Sequence, residues 1–222
     1  MIWELVLLII GSYLLGAIPT GYIVTRRLRG VDIREYGSGG IGGANVWHAV
    51  SRWTGVLVVF IDMLKGAIPV AIALLVGMPL AWAIAGGLTA IIGHNWSIFL
   101  RFRGGRGIGV SLGVLGPLFS WGLLLFFAIM ALFAIIRNIP LGIVLTITAI
   151  PFACWAMGGE PTLVYGLGAI ALLMLIRRIT AGRFPEGTSR REVLIYRLLY
   201  DRDVRGRDAW VKRASNDGDR AQ

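Results

Sequence analysis

Residues 108–136 read IGVSLGVLGPLFSWGLLLFFAIMALFAII, an unbroken apolar stretch on which the architecture turns. As one α-helix its 29 residues would extend about 43 Å. A bilayer core is only about 30 Å thick and is crossed by about 20 residues. The stretch is too long for one upright crossing and short for two. Gly116-Pro117 is the natural break, because proline interrupts the helical hydrogen-bond ladder. The sequence predicts a short helix up to Gly116 and a fuller one after it.

The flanks say why that break is needed. Further apolar stretches run at 2–25, 54–77, 79–100, 140–157 and 161–176. The connection after the first carries Arg26, Arg27, Arg29, Arg34 and Arg52, and the next basic one carries Arg101, Arg103 and Arg106. Arg137 follows the quoted stretch, and Arg177 and Arg178 open the tail. Arginine-rich connections stay cytoplasmic, whereas VGMP (76–79) and GGEP (158–161) have no positive charge and belong outside. A single crossing through 108–136 would put Arg137 and the basic tail on the wrong side. An extra turn restores parity. The expected fold is an all-α integral membrane protein with about seven transmembrane helices, one short near 108–117. Its N-terminus lies outside and its C-terminus is cytoplasmic. Residues 1–180 would form the multi-pass membrane domain. Residues 181–222 would form a cytoplasmic basic tail, with REVLIYRLLYDR (191–202) as an interfacial helix and a disordered end.

Composition agrees. The chain is 56% hydrophobic and 15% charged with a mean hydropathy of +0.74, against roughly 25% charged residues in a soluble domain. The net charge of +10 is almost wholly arginine, Lys65 and Lys212 being the lysines. These arginines flank apolar spans rather than line a soluble face, so nucleic acid is not the expected partner. Anionic lipid headgroups and phosphate-bearing substrates are. The single cysteine, Cys154, excludes an internal disulfide and a cysteine metal cluster. MIWELVLLIIGSYLLGAIPTGYIV has no basic leader and no small-residue cleavage site, so it reads as a retained span.

Three juxtamembrane segments then face the cytoplasm: YGSGGIGGANVWH (36–48), GHNWSIFLRFRGGRG (93–107) and RRITAGRF (177–184). The first reads either as a flexible linker or as an anion nest of backbone N–H groups helped by Ser38 and Asn45. Ile41, Val46 and Trp47 speak against a linker. In the second, a phosphate approached by glycine backbone at a helix N-terminus and clamped by arginine is a coherent site. Orientation-setting arginines with helix-breaking glycines are the plainer reading of the same residues. Asp62 and Lys65 share a helix face within a span, as a structural pair between helices or as a substrate contact. His48 and His94 are too few for a His-rich metal site, and neither GxSxG nor HxxxxD occurs, which disfavours metal-dependent and hydrolase chemistry.

GSGGIGGANVWH resembles the first motif of the PlsY-type acyl-phosphate-dependent glycerol-3-phosphate acyltransferases, commonly GSGNPGATNVxR. IDMLKG resembles the family's LDxLKG, and GHNWSIFLRFRGGRGIG its GHxFPVFLxFKGGKGVAT. The resemblance covers roughly residues 1–185. It implies a multi-pass enzyme of the bacterial plasma membrane that needs no metal or cofactor. Such an enzyme transfers a fatty acyl group from acyl phosphate to the sn-1 hydroxyl of glycerol 3-phosphate, giving lysophosphatidic acid and phosphate for phospholipid synthesis.

Residue by residue, the resemblance implies Ser38, His94 and Arg106 as catalytic. It implies Gly39, Asn45, His48, Arg103, Gly104, Gly105, Gly107 and Arg178 as substrate-binding. Arg103 and Arg106 replace family lysines, keeping charge but not shape. His48 replaces an arginine, Gly40 and Ala44 replace asparagine and threonine, and Val110 replaces a threonine. The third family motif, roughly HRxNIxRLxxGxE, is aligned by Arg178 and Gly182. Leu172 then falls on its histidine, Leu175 on its asparagine and Phe184 on its glutamate. Arg177, Arg178 or Arg183 is left to carry the missing polarity. Two other classes compete: a catalytically silent or altered-acceptor homologue that binds acyl phosphate or glycerol 3-phosphate, and an anion transporter. The latter would need a polar path, and only Asp62 and Lys65 are charged at depth.

Overall fold

The computed structural model describes residues 2–36, 39–181 and 189–201. The first apolar stretch forms α1 (Ile2–Ala17) and α2 (Thr20–Arg29), a bent segment of 28 residues. The bend falls at Ile18-Pro19, where proline has no N–H to donate. A glycine-rich connection leads to α3 (Gly43–Ala49). Ser51 starts α4 (Arg52–Leu75) by accepting the Thr54 N–H at 3.1 Å, which satisfies an orphan donor of the first turn. Then come α5 (Leu80–Asn95), α6 (Ile108–Leu118), α7 (Ser120–Ile135), α8 (Ile139–Ala156), α9 (Pro161–Thr180) and α10 (Arg190–Tyr200).

Among the described residues, five segments are long and apolar enough to cross a bilayer: Ile2–Arg29, Arg52–Leu75, Leu80–Leu100, Ile139–Ala156 and Pro161–Thr180. The stretch 108–136 does break in two, giving the shorter apolar helices α6 and α7 of 11 and 16 residues. The break lies at Phe119 (φ −154°, ψ 77°) rather than at Gly116-Pro117. Pro117 sits inside the last turn of α6, where it removes one donor only, and the Phe119 N–H still reaches Leu115 O at 2.7 Å.

Close contacts fix the helix directions. The Ser97 hydroxyl donates to Ala17 O at 2.5 Å and the Tyr13 hydroxyl to Trp96 O at 2.9 Å, so α1 and α5 run parallel. In α4 and α6, Gly66 meets the Val110 backbone and Gly113 meets the Met63 backbone, with no room for a Cβ at either. Small residues let membrane helices approach this closely. α6 runs against α5, since Gly107 lies by Ile91 and Val114 by Gly87. α7 and α8 are antiparallel, with Gly142 by Phe133 and Gly122 by Ile150. Arg177 of α9 reaches Gly104 and Gly105, and Arg178 reaches Pro140 O. The arginine-bearing connections therefore gather at one end of the bundle. α6 leads away from that end and α7 returns to it.

The main core lies among α4 to α9, with Val70, Ile91, Val114, Ile150 and Leu167 buried. A second cluster, Ile33, Ile41, Val46, Val58 and Leu100, lies beneath the glycine-rich connection. Burial of each such side chain is worth about 1.5–3 kcal/mol, enough to seat Ile33, Ile41 and Val46 against Val58 of α4. Trp47, read from the sequence as part of this anchor, is instead exposed. α10 packs on α8 and α9, burying Val193 and Arg197, and the Arg197 guanidinium donates to Ile179 O at 2.9 Å. Helix α10 overlaps the tail segment 191–202 that the sequence marks as an interfacial helix. The tail's expected disordered end lies outside the described residues.

Candidate active site

Asn45 organises the first segment. Its buried amide donates to the carbonyls of Ile33 (3.1 Å), Tyr36 (2.9 Å) and Gly40 (2.8 Å), drawing the ends of the glycine-rich connection together. Its Nδ2 is thus a loop-closing group rather than a free donor. Gly39, at φ +66°, follows Ser38, which lies outside the described residues with Gly37. At the entry to this segment Arg34 pairs with Asp32 at 2.5 Å and lies 5.2 Å from the Tyr22 ring centroid. Burial alone would raise the Asp32 carboxyl, but the hydrogen bonds and charge of Arg34 outweigh it and hold Asp32 below the ordinary carboxylate range. His48, on the far turn of α3, is exposed.

The second segment is held from three sides. His94 and Asn95 end α5 as buried side chains. The Gly105 N–H donates to His94 O at 3.0 Å. A Cβ on Gly105 would strike the His94 ring, and a Cβ on Gly104 would strike His94 O. Gly107 adopts φ +76° as the N-cap of α6, within 2.7 Å of Asn95 Oδ1 measured from an ideal Cβ. Only glycine accepts both conditions. On the other side Arg177 donates through Nε to Gly105 O (2.9 Å) and through Nη2 to Gly104 O (3.2 Å). It also stands 5.3 Å from the Trp96 ring centroid.

This double strap has a chemical consequence. The carbonyls of the glycine pair are turned to Arg177 and one of its amides to His94. The amides of Arg106, Gly107 and Ile108 have no backbone acceptor among the described residues and sit at the positive end of α6. Both polar atoms of the Asn95 amide and the Nδ1 of His94 are buried without a hydrogen bond among the described residues. An anion at this end would meet N–H dipoles, an imidazole and arginine.

Asp62 and Lys65 support the shelf from below. They pair at 2.7 Å, and Lys65 Nζ also donates to Ile18 O at 2.7 Å, joining α4 to the bend between α1 and α2. Asp62 Oδ1 lies 3.8 Å from His94 Nδ1, beyond hydrogen-bond reach. This pair is the structural one that the sequence offered as one of two readings. Val59, one turn before Asp62, touches both Gly43 and Gly109, so the first and second segments flank the same turn of α4.

The remaining candidates are distributed. Arg103 is exposed, and Arg106 is half-buried and paired with Asp201. Arg178 is buried and donates to Arg197 O and Pro140 O, both at 2.9 Å, bolting α8 and α10 to α9. Gly182, Arg183 and Phe184 of the third segment lie outside the described residues. Sequence reasoning missed Asn95 and Asp201, and left Arg177 as one of three possible substitutes. The GHN run was the available signal for Asn95.

Comparison with known proteins matches the same regions. A family model described as glycerol-3-phosphate acyltransferase matches residues 6–183. Glycerol-3-phosphate acyltransferase 5 of Dehalococcoides mccartyi is 35% identical over 218 residues, covering 95% of this chain and 94% of its own. The glycerol-3-phosphate acyltransferase of Geobacter sulfurreducens is 38% identical over 195 residues, covering 86% and 98%. The crystal structure of PlsY, an integral membrane glycerol 3-phosphate acyltransferase, in its glycerol 3-phosphate form superposes with a TM-score of 0.73 at 30% identity. It covers 79% of this chain and 88% of that one.

Proposed function

Because the chain belongs to the glycerol-3-phosphate acyltransferase family, we propose that it transfers a fatty acyl group from acyl phosphate to the sn-1 hydroxyl of glycerol 3-phosphate. Lysophosphatidic acid and inorganic phosphate are the products. The observation that carries the reading is the strapped glycine pair, which presents the α6 amides beside His94 and Arg106. The proposed setting is the bacterial plasma membrane, with the N-terminus outside and the arginine-bearing end of the bundle in the cytoplasm. Seven membrane-embedded segments follow if α6 and α7 serve as the go-and-return pair.

Two anionic groups must meet in this reaction. Arginine charge and α6 dipoles offset their repulsion and hold them in register. The hydroxyl oxygen attacks the acyl carbonyl carbon, and the carbon–oxygen bond to phosphate breaks. Phosphate leaves with the bonding pair. The hydroxyl proton passes to His94 or to a phosphate oxygen of substrate. Acyl phosphate is already an activated mixed anhydride, so placement and charge stabilisation supply most of the acceleration. In this account Ser38 and Asn45 belong to the acceptor side, Asn45 by shaping the loop.

Arg106→Ala should abolish lysophosphatidic acid formation in protein that still melts like the parent. Near-normal turnover would remove Arg106 from the chemistry, and full activity in Ser38→Ala would do the same for Ser38. A second reading, binding without turnover, draws on Leu172 and Leu175 where family members carry histidine and asparagine. It predicts glycerol 3-phosphate binding with no product.

A further inference from the structure

Arg106 stands in a run that cannot brace it. Gly104-Gly105 before it and Gly107 after it carry no side chains, and its own long stem is costly to hold in one conformation. A guanidinium that has to meet an anion in one geometry must be held from outside that run. Among the described residues the one side chain bonded to it is Asp201, whose Oδ2 accepts from Arg106 Nη1. The other oxygen, Oδ1, lies 3.8 Å from Arg178 Nε, within reach of its charge and too far for a hydrogen bond. Arg178 already donates through Nε to Arg197 O and through Nη2 to Pro140 O. The hydrogen bond of Asp201 is therefore made to Arg106.

Local preferences all run against a carboxylate at 201. Asp201 is the C-cap of α10 at φ 57°, ψ 35°, a left-handed conformation in which glycine is the usual residue. Its N–H returns to Arg197 O at 3.2 Å, so its charge stands at the negative end of the helix dipole. A residue set against two local rules is explained by what it meets in space. α10 is seated firmly enough to deliver it. Val193 and Arg197 are buried, Arg197 O accepts from Arg178 of α9, and Arg197 Nη1 donates to Ile179 O at 2.9 Å. Asp201 and α10 lie beyond residues 6–183, the part that matches the family model.

We infer that Asp201 is a positioning residue, a carboxylate from the tail that fixes the guanidinium of Arg106 in its working orientation. It holds Nη1. The Nε–Nη2 edge, without a hydrogen bond among the described residues, is left to take the reacting anion in two parallel bonds. Arg178 shares the charge of Asp201, so two arginines and one carboxylate still present net positive charge to that anion. The inference rests on the proposed part of Arg106 in turnover.

The test uses the full chain in nanodiscs with acyl phosphate and glycerol 3-phosphate. Asp201→Asn keeps size, removes the charge-assisted bond and should lower kcat roughly ten- to a hundredfold. Asp201→Glu keeps a carboxylate in reach and should recover most of that loss. In an Arg106→Lys background the Asp201→Asn change should cost less than about threefold, because a point ammonium has no fork to orient. Equal losses in the arginine and lysine backgrounds overturn the inference, as does an unchanged kcat in Asp201→Asn.

A second readout needs no turnover. Phenylglyoxal modifies guanidinium groups, and peptide mass mapping locates the modified arginines. In Asp201→Asn, Arg106 should react roughly three- to tenfold faster, while exposed Arg103 and buried Arg178 keep their rates. Acceleration at Arg178 as well shows that α10 has come away, which makes Asp201 a docking contact and overturns the inference. An unchanged Arg106 rate also overturns it. Wild type that makes no lysophosphatidic acid defeats the proposed reaction, and the reactivity of Arg106 then decides the Asp201 hold by itself. Normal turnover with an indifferent Arg106 keeps the reaction and removes Asp201 from it.

Discussion

Replacing Arg177 tests whether the glycine pair must be strapped. In the native chain its guanidinium makes two hydrogen bonds, 2.9 Å to Gly105 O and 3.2 Å to Gly104 O, beside a 5.3 Å stack on Trp96. Hydrogen bonds to a charged group are worth about 1.5–3 kcal/mol each. Taking the lower figure for both gives about 3 kcal/mol of positioning energy, which corresponds to roughly a hundredfold in rate if all of it acts on the transition state. A misplacement of the α6 amides by about 1 Å is by itself enough for a loss of that size. Arg177→Ala should therefore lower kcat about a hundredfold. Arg177→Lys can reach one carbonyl but not both, because a point ammonium lacks the planar fork, and should lose about tenfold. The assay is initial-rate lysophosphatidic acid formation at saturating glycerol 3-phosphate, normalised to folded protein by its melting curve. The loss should fall on kcat more than on KM. An Arg177→Ala rate within threefold of wild type in folded protein would refute the strap. So would equal losses in the alanine and lysine variants, because the fork geometry would then be irrelevant.

Three further outcomes follow from the same contacts. Asn45→Ala removes the donor shared by three carbonyls, and should raise the glycerol 3-phosphate KM by roughly five- to thirtyfold, from about 1–2 kcal/mol of lost loop closure. Lys65→Met leaves Asp62 as a buried unpaired charge and should cost about 3–5 kcal/mol, read as a lower melting temperature; the double variant Asp62→Asn/Lys65→Met should recover most of it. The Asp32–Arg34 pair stabilises the fold above the unfolded carboxylate pKa of about 3.9 and loses that contribution as pH falls through the depressed folded value. Asp32→Asn should remove this acid-side step from a pH series of melting curves, by under about 1 kcal/mol for a half-buried pair at the surface.

How much of this was legible beforehand depends on the range of each interaction. The break within 108–136 is a local matter of length, glycine and proline, and it lies three residues beyond Gly116 because one proline in a last turn does not end a helix. The Asp62–Lys65 pair is also local, a three-residue spacing on one face. Ile41 and Val46 in a glycine-rich run signalled a seated loop, whereas Trp47 did not share their burial. In the sequence Asn45 reads as a ligand group because asparagine in a glycine nest offers both donor and acceptor. That its donor closes the loop depends on where three carbonyls happen to turn. Arg177 acts on residues 72 and 73 positions away. In the sequence it is one of two adjacent arginines at the end of a span, a pattern that topology alone explains. Asp201 meets Arg106 across 95 positions, and nothing in a tail of mixed charge marks one carboxylate among seven.

The central claim is that the strapped glycine pair and its arginines run acyl-phosphate chemistry on glycerol 3-phosphate. The purified wild-type chain, in nanodiscs, should be given glycerol 3-phosphate with either acyl phosphate or the matching acyl-CoA, and lysophosphatidic acid and released phosphate should be measured together. The account predicts equimolar lysophosphatidic acid and phosphate from acyl phosphate, and none from acyl-CoA. Product from acyl-CoA at a comparable rate, or glycerol 3-phosphate binding with no product from acyl phosphate, would contradict it.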